Sequence, residues 1–282
     1  MQEGIDFSSV TGDNSSVISS RCVEAPTKYY LCDWLDLHGL TVRQCESVLS
    51  RADESGSDLD PGVCSLPCDI SGDLAWNLAG DAMLSGFPQA AGPIRDVRDK
   101  AVRTFRADGA ARSFTVPAGP DRHPIVVVGY RGRIVDLLTV AHEFGHAVQV
   151  CASNRFVPPV NRELCAFVSE LTLLRLLRAE WPALHGLALA AWRAGNRSYL
   201  GRHGKALALS LRDRRSVYRY WWNYPIARVL ASDCVEHLPT SAQWPIFENR
   251  IPLSRIVGFL ECAHRNSRVC NGACLTIAPV TN

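Results

Sequence analysis

The sequence predicts a mainly α-helical α+β domain with one small β-sheet. Three observations carry this expectation. Most of the chain places apolar residues at helical spacing. Residues 113–130 change instead to short runs of β-branched residues. The apolar segment after Gly132 reads as a helix that carries two histidines four positions apart. No repeat is evident, and 282 residues suffice for one large core. The expected organisation is a poorly ordered Ser-rich tail over 1–26 and a single domain over 27–282.

Taken in order, Tyr30, Leu31, Trp34, Leu35 and Leu37 open the ordered region, and Thr41 with Gln44 forms a capping box for a helix to about residue 52. Residues 53–68, rich in Ser, Asp, Gly and Pro, read as a loop. A helix starting at Ser71 ends at Gly86 and Pro88, and Pro93 suits the first turn of another running to about residue 106. Residues 113–117 and 124–130 read as two strands, and 135 to about 151 as the histidine-bearing helix. After Pro158 and Pro159, Asn161 is expected to cap a helix through residue 180, with Leu164, Phe167, Val168, Leu171, Leu174 and Leu177 at helical spacing. Residues 182–236 read as largely helical with interruptions near Gly195, Gly201 and Gly204, and 252–264 as a last helix.

Composition narrows the function. A net charge of +2 from 30 basic and 28 acidic residues gives no reason to expect nucleic acid or an anionic membrane as partner. No uncharged apolar run approaches the roughly 18 residues that span a bilayer, and the first residues show neither the basic nor the apolar part of a secretory signal. A cytoplasmic location is expected. Eleven cysteines pull the other way, since Cys22, Cys32, Cys45, Cys64, Cys68, Cys262, Cys270 and Cys274 crowd the flanks. Two readings fit them: disulfides in an oxidising compartment reached without a visible signal, or reduced and mostly buried thiols.

The chemistry centres on His142-Glu143-Phe144-Gly145-His146. Residues four apart share a helix face, so His142 and His146 can aim at one metal ion while Glu143 reaches a metal-bound water as general base. Such a site takes a third ligand from a later segment. Glu163 opens the next helix and Glu170 falls two turns later on the same face. They read equally as ligand and hydrogen-bond partner of an imidazole, or as surface carboxylates near a helix start. Tyr218, Tyr220, Trp221, Trp222 and Tyr224 form an aromatic stripe that by pattern alone reads as core. His123 lies beside a strand, where it can contact substrate. His185, His203, His237 and His264 lack ligand spacing and read as structural or exposed.

The stretch from His123 to Ala147 resembles the catalytic region of the oligoendopeptidase F and thimet oligopeptidase family of zinc peptidases. An apolar strand ending in Tyr130, a Gly-containing turn and Thr-Val-Ala-His-Glu-Phe-Gly-His over 139–146 carry the likeness. It implies a zincin-like catalytic core, Zn²⁺ held by His142, His146 and Glu163, and Glu170 as the second of two glutamates seven residues apart. It also implies that Tyr218 and Tyr220 are catalytic, in a Tyr-x-Tyr helix whose hydroxyls line the active site and help polarise the scissile carbonyl, with Tyr130 and Tyr224 as possible substrate contacts. The resemblance covers about 105–235. It departs at Gly129, where the family often has Asn, and at Ser210, near which the family has a His. The chain is also about half the usual family length. The implied substrate is a peptide or a small peptide-like molecule. The alternative is a metal-dependent tailoring enzyme on a repurposed scaffold: either a hydrolase of non-peptide amides or an Fe²⁺ oxygenase, since two His and one carboxylate also hold non-haem iron.

Overall fold

Helix α5 (Ile134–Ala152) is the element on which the others converge. The computed structural model describes residues 28–52, 60–108, 112–117, 123–153 and 156–267. The segment 1–26 expected as a tail lies outside these residues, as do Cys22, Cys270 and Cys274. The architecture is mainly helical with one three-stranded sheet. Helix α6 (Pro159–Glu180) packs along α5 and is covered in turn by α3 (Gly72–Gly86) and α9 (Asn223–His237). No described helix is long and apolar enough to cross a membrane.

The N-terminal helices form where local chemistry dictates. Helix α1 (Leu31–His38) ends at Gly39, whose φ of 59° is left-handed and suits the absent side chain. Helix α2 (Val42–Leu49) starts in the expected capping box, with the Gln44 amide donating to Thr41 Oγ1 at 3.2 Å and the Thr41 amide to Gln44 Oε1 at 2.9 Å. Ser71 caps α3 by accepting from the Leu74 amide at 3.2 Å. The Trp76 ring of α3 meets Phe144 of α5 at 4.7 Å. That aromatic contact joins α3 to the continuous core around Trp34, Phe87, Phe167, Trp222 and Phe247.

The sheet corrects one expectation. Helix α4 spans Ala91–Lys100 only, and 102–106, expected as its continuation, form β1 (Val102–Arg106). Strand β1 pairs in parallel with β3 (Ile125–Gly129), and β2 (Phe114–Val116) pairs antiparallel with β3, giving the order β1-β3-β2. A helical period ran into 102–106 by chance; pairing with the apolar β3 decides the outcome. Val126 and Val128 of β3 and Thr115 of β2 turn inward, the face that packs on α5.

Further differences are local. Pro158, not Asn161, precedes the first turn of α6; Asn161 is buried and donates to Asn249 Oδ1 at 3.3 Å. The region 182–236 holds α7 (Pro182–Ala194), which ends at Gly195 as expected, a π-helical stretch Arg197–Gly204 that contains Gly201 and Gly204, α8 (Lys205–Ser210) and α9, with an unexpected non-helical break at 211–219. The aromatic stripe is not a helix through Tyr218: residues 217–219 are extended and Tyr220–Trp222 is one 3₁₀ turn. Helices α10 (Thr240–Phe247) and α11 (Leu253–Ser267) close the described chain. No disulfide joins the described cysteines, and burial pushes the Cys45 thiol up to about 12.

Buried His38 ties α1 to α6. Its Nδ1–H donates to the Trp34 carbonyl at 2.7 Å and its Nε2 accepts from the Val160 amide at 3.1 Å, so the ring is neutral with one tautomer. Burial depresses its pKa from 6.5 to about 4. The unfolded chain therefore binds the extra proton first, and stability falls as pH drops from 6.5 towards about 4. Urea unfolding at pH 7 and pH 5 is expected to differ by about 2 kcal/mol on account of this residue. The His38→Gln variant is expected to lose that part of the pH dependence, and an unchanged slope would remove the assignment.

Candidate metal centre

The start of α5 is set by its own turn. Gly132, at φ 73°, turns the chain out of β3, and its carbonyl accepts from the Cys68 amide at 2.7 Å. Asp136 then accepts from the Arg131 and Arg133 amides at 2.7 and 3.1 Å, while the Arg133 guanidinium meets its other oxygen at 2.8 Å. A carboxylate in the first turn of a helix is favoured by the helix dipole. Two turns on, His142 and His146 project from one face with ring centroids 4.8 Å apart at 88°.

Glu163 comes from the first turns of α6 to the same point. His142 Nε2 lies 3.3 Å and His146 Nε2 3.9 Å from Glu163 Oε2, and the three ligand atoms lie within 4.8 Å of one another. Zinc bonds of 2.0–2.1 Å in a tetrahedral arrangement set neighbouring donor atoms about 3.3–3.4 Å apart; the His142–Glu163 pair is at that spacing, and the His146–Glu163 pair is wider. Glu163 Oε2 is also a buried oxygen with no hydrogen-bond donor. A buried anionic oxygen is costly without a cation beside it, and either a protonated His142 or a metal ion at this point satisfies it. The residues fit a divalent metal.

The two helices reach this registry because Gly145 lets them touch. A Cβ there would meet Ser169 Cβ at 2.8 Å, the Ala166 Cα at 2.9 Å and the Cys165 carbonyl oxygen at 3.0 Å. Two of those atoms are backbone of α6, so only a shift of the helix would relieve the overlap.

His142, Glu163 and Glu143 each have a holder, whereas His146 Nδ1 is buried without a hydrogen-bond partner. His142 Nδ1 is 2.7 Å from Glu170 Oε1, and Arg228 of α9 lies 3.7 Å from Glu170 Oε2. Arg228 is itself fixed by Asn196 Oδ1 at 2.7 Å and the Trp192 carbonyl, with its guanidinium carbon 3.9 Å from the Trp192 ring centroid. Tyr220 donates to Glu163 Oε1 at 2.7 Å, which leaves Oε2 facing the histidines. Thr115 of β2 donates to Glu143 Oε2 at 2.7 Å.

The electrostatics divide the roles. Burial opposes charge on His142, but Glu163 and Glu170 outweigh it and raise its pKa well above the ordinary value. His146, buried with little compensation, is depressed to about 3 and presents a neutral lone pair. Glu163 is pulled down to about 2 because His142, His146 and Tyr220 overcome its burial. Glu143 goes the other way: burial raises its pKa despite the opposing pull of His142 and Thr115. A carboxylate of raised proton affinity beside two imidazoles is suited to accept a proton.

No family model, curated protein or solved structure matches this chain.

The geometry brings together His142, Glu143, His146, Glu163, Glu170 and Tyr220. Tyr224 joins them, its ring 5.9 Å from that of Tyr220 and its pKa raised by burial, Glu163, Tyr199 and Glu143. Tyr218 stands further out, accepting from Asn223 Nδ2 at 2.8 Å. Tyr130 donates to the Ile70 carbonyl at 2.6 Å and packs on Phe105, and His123 is exposed next to Asp96 of α4. Neither is among the partners of His142, His146 or Glu163. His203, on the π-helical stretch, leans on Trp221 and Tyr224. Thr115 and Arg228 were not expected as site residues. The available signals were a Thr on the inward position of a short strand and a lone charge inside the apolar run 226–231.

Gly145→Ala is expected to cost about 1–3 kcal/mol in urea unfolding and to weaken zinc binding together with it. Tyr220→Phe is expected to weaken zinc binding about 10–100-fold with the fold intact, checked by calorimetric titration and circular dichroism.

Proposed function

We propose that this chain is a zinc metallopeptidase of zincin-like architecture that hydrolyses amide bonds in short peptides or a specialised peptide-like substrate. One observation carries the reading: three ligand atoms from α5 and α6 converge within 4.8 Å while Thr115 holds Glu143 beside them at 2.7 Å. A metal kept only for structure has no use for that carboxylate. The resemblance to the oligoendopeptidase F and thimet oligopeptidase family supports the same reading.

When bound, Zn²⁺ supplies Lewis-acid polarisation of a carbonyl and acidifies a water molecule. Glu143 accepts the proton of the attacking water and passes it to the leaving amine. Thr115 keeps that carboxylate aimed. Tyr220 engages Glu163 Oε1, so the ligand offers one oxygen. Because the Tyr220 proton is committed there, we assign the developing oxyanion to Tyr224, a contribution of roughly 3 kcal/mol in comparable sites. The outer edge of β2 offers main-chain hydrogen bonds to an extended substrate, with Phe114 and Val116 exposed along it. The same three ligands could serve a non-haem iron oxygenase, but the Thr115–Glu143 pair adds a proton acceptor that favours hydrolysis.

Glu143→Gln is expected to retain zinc and lose at least about 100-fold in turnover of short peptides, whereas Glu163→Ala loses the metal. Full hydrolysis by the Gln variant would remove Glu143 as the base, and iron with oxygen consumption in place of zinc would favour the oxygenase.

A further inference from the structure

A second cluster lies on α9 and α11. Asp233 and His237 are four residues apart on α9, hence on one face, and His264 reaches them from α11. One ligand atom from each lies within 4.8 Å of the others. We propose that Asp233, His237 and His264 form a second binding site for a first-row divalent cation, Zn²⁺ above all, which clasps α11 to α9.

The geometry repeats that of the first centre. His264 Nε2 is 3.3 Å from Asp233 Oδ1, equal to the 3.3 Å between His142 and Glu163 and longer than the 2.7 Å hydrogen bond from His142 to Glu170. A separation of about 3.3–3.4 Å is the edge of a tetrahedron of zinc donors. The imidazole pairs also correspond: His237 and His264 have centroids 4.7 Å apart at 84°, against 4.8 Å and 88° for His142 and His146.

The carboxylate is already oriented. Arg51 Nε holds Asp233 Oδ2 at 3.1 Å, and Arg51 Nη1 is anchored on the Ser47 carbonyl and hydroxyl, both at 3.1 Å. Oδ1 is thereby left turned to the imidazoles, the arrangement in which an outer hydrogen bond fixes a ligand. The Asp233 side chain is 9% exposed and that of His264 32%, so the ligands sit at a rim where a cation can enter and water can complete its coordination. Arg51 offsets the Asp233 charge, and this clasp should bind more weakly than the His142 centre.

The test uses the full chain stripped with chelator and titrated with ZnCl₂, with metal counted by mass spectrometry. In the His142→Ala/His146→Ala background, one zinc ion per chain is expected to remain and to raise Tm. Adding His237→Ala, a half-buried position, is expected to abolish both effects. Should that background not fold, His237→Ala/His264→Ala in the otherwise native chain is expected to lower the zinc content by one ion. The same pair of substitutions leaves peptide hydrolysis unchanged. Absence of zinc from the His142→Ala/His146→Ala protein, or zinc content indifferent to loss of His237 and His264, would overturn the proposal. Since the first centre is deleted in that background, the outcome does not depend on what His142 and His146 bind.

Discussion

The close contact of α5 with α6 at Gly145 is the constraint on which the site depends. Two helices normally pack 8–10 Å apart, with side chains filling the gap. At Gly145 the α6 backbone comes so near that a single methyl would strike it. That approach sets His142 and His146 of one helix against Glu163 and Glu170 of the other. The apolar residues flanking it, Phe144, Ala147, Val148, Leu164 and Phe167, are all buried and hold the helices there. Packing and chemistry are thus one requirement: the interface that stabilises the core also fixes the spacing of the ligand atoms.

Around this contact the protein keeps charges that water would otherwise solvate. His142, Glu170 and Arg228 run in a line from the site into the core, and Arg228 is almost wholly buried. The guanidinium stays there because rings surround it, with Phe167 at 5.0 Å and Tyr199 at 4.7 Å in addition to Trp192. Each such contact is worth more when desolvated, and the carboxylate supplies the opposite charge. A buried chain of this kind contributes little net stability. Its effect is to leave His142 one orientation, with Nδ1 engaged and Nε2 turned to Glu163.

The two His/carboxylate clusters differ in their surroundings rather than in their ligands. At the first, the Glu143 carboxylate held by Thr115 and the rings of Tyr220 and Tyr224 stand beside the cluster. At the second, the neighbour is Arg51, which offsets charge and tethers α2 to the same aspartate. On the proposed readings, these surroundings suit the first cluster to catalysis and the second to attachment of a helix.

The sequence by itself determined what lies within one element. The capping pairs at Thr41 and Ser71, the shared face of His142 and His146, and the seven-residue spacing of Glu163 and Glu170 are consequences of helix periodicity, which acts over a few residues. The short β-branched runs in 113–130 likewise announced β2 and β3. Only the tertiary structure decided what depends on distant partners. It made 102–106 a strand because β3 lay free to pair with it, and it placed Thr115 on Glu143 and Arg228 behind Glu170. It also sent Tyr130 to Ile70 instead of the site, and joined His264 to a helix-spaced pair some thirty residues away. Side-chain periodicity is a local property of the backbone, whereas which faces meet is settled by burial of the whole apolar surface. No spacing within a single segment encodes that outcome.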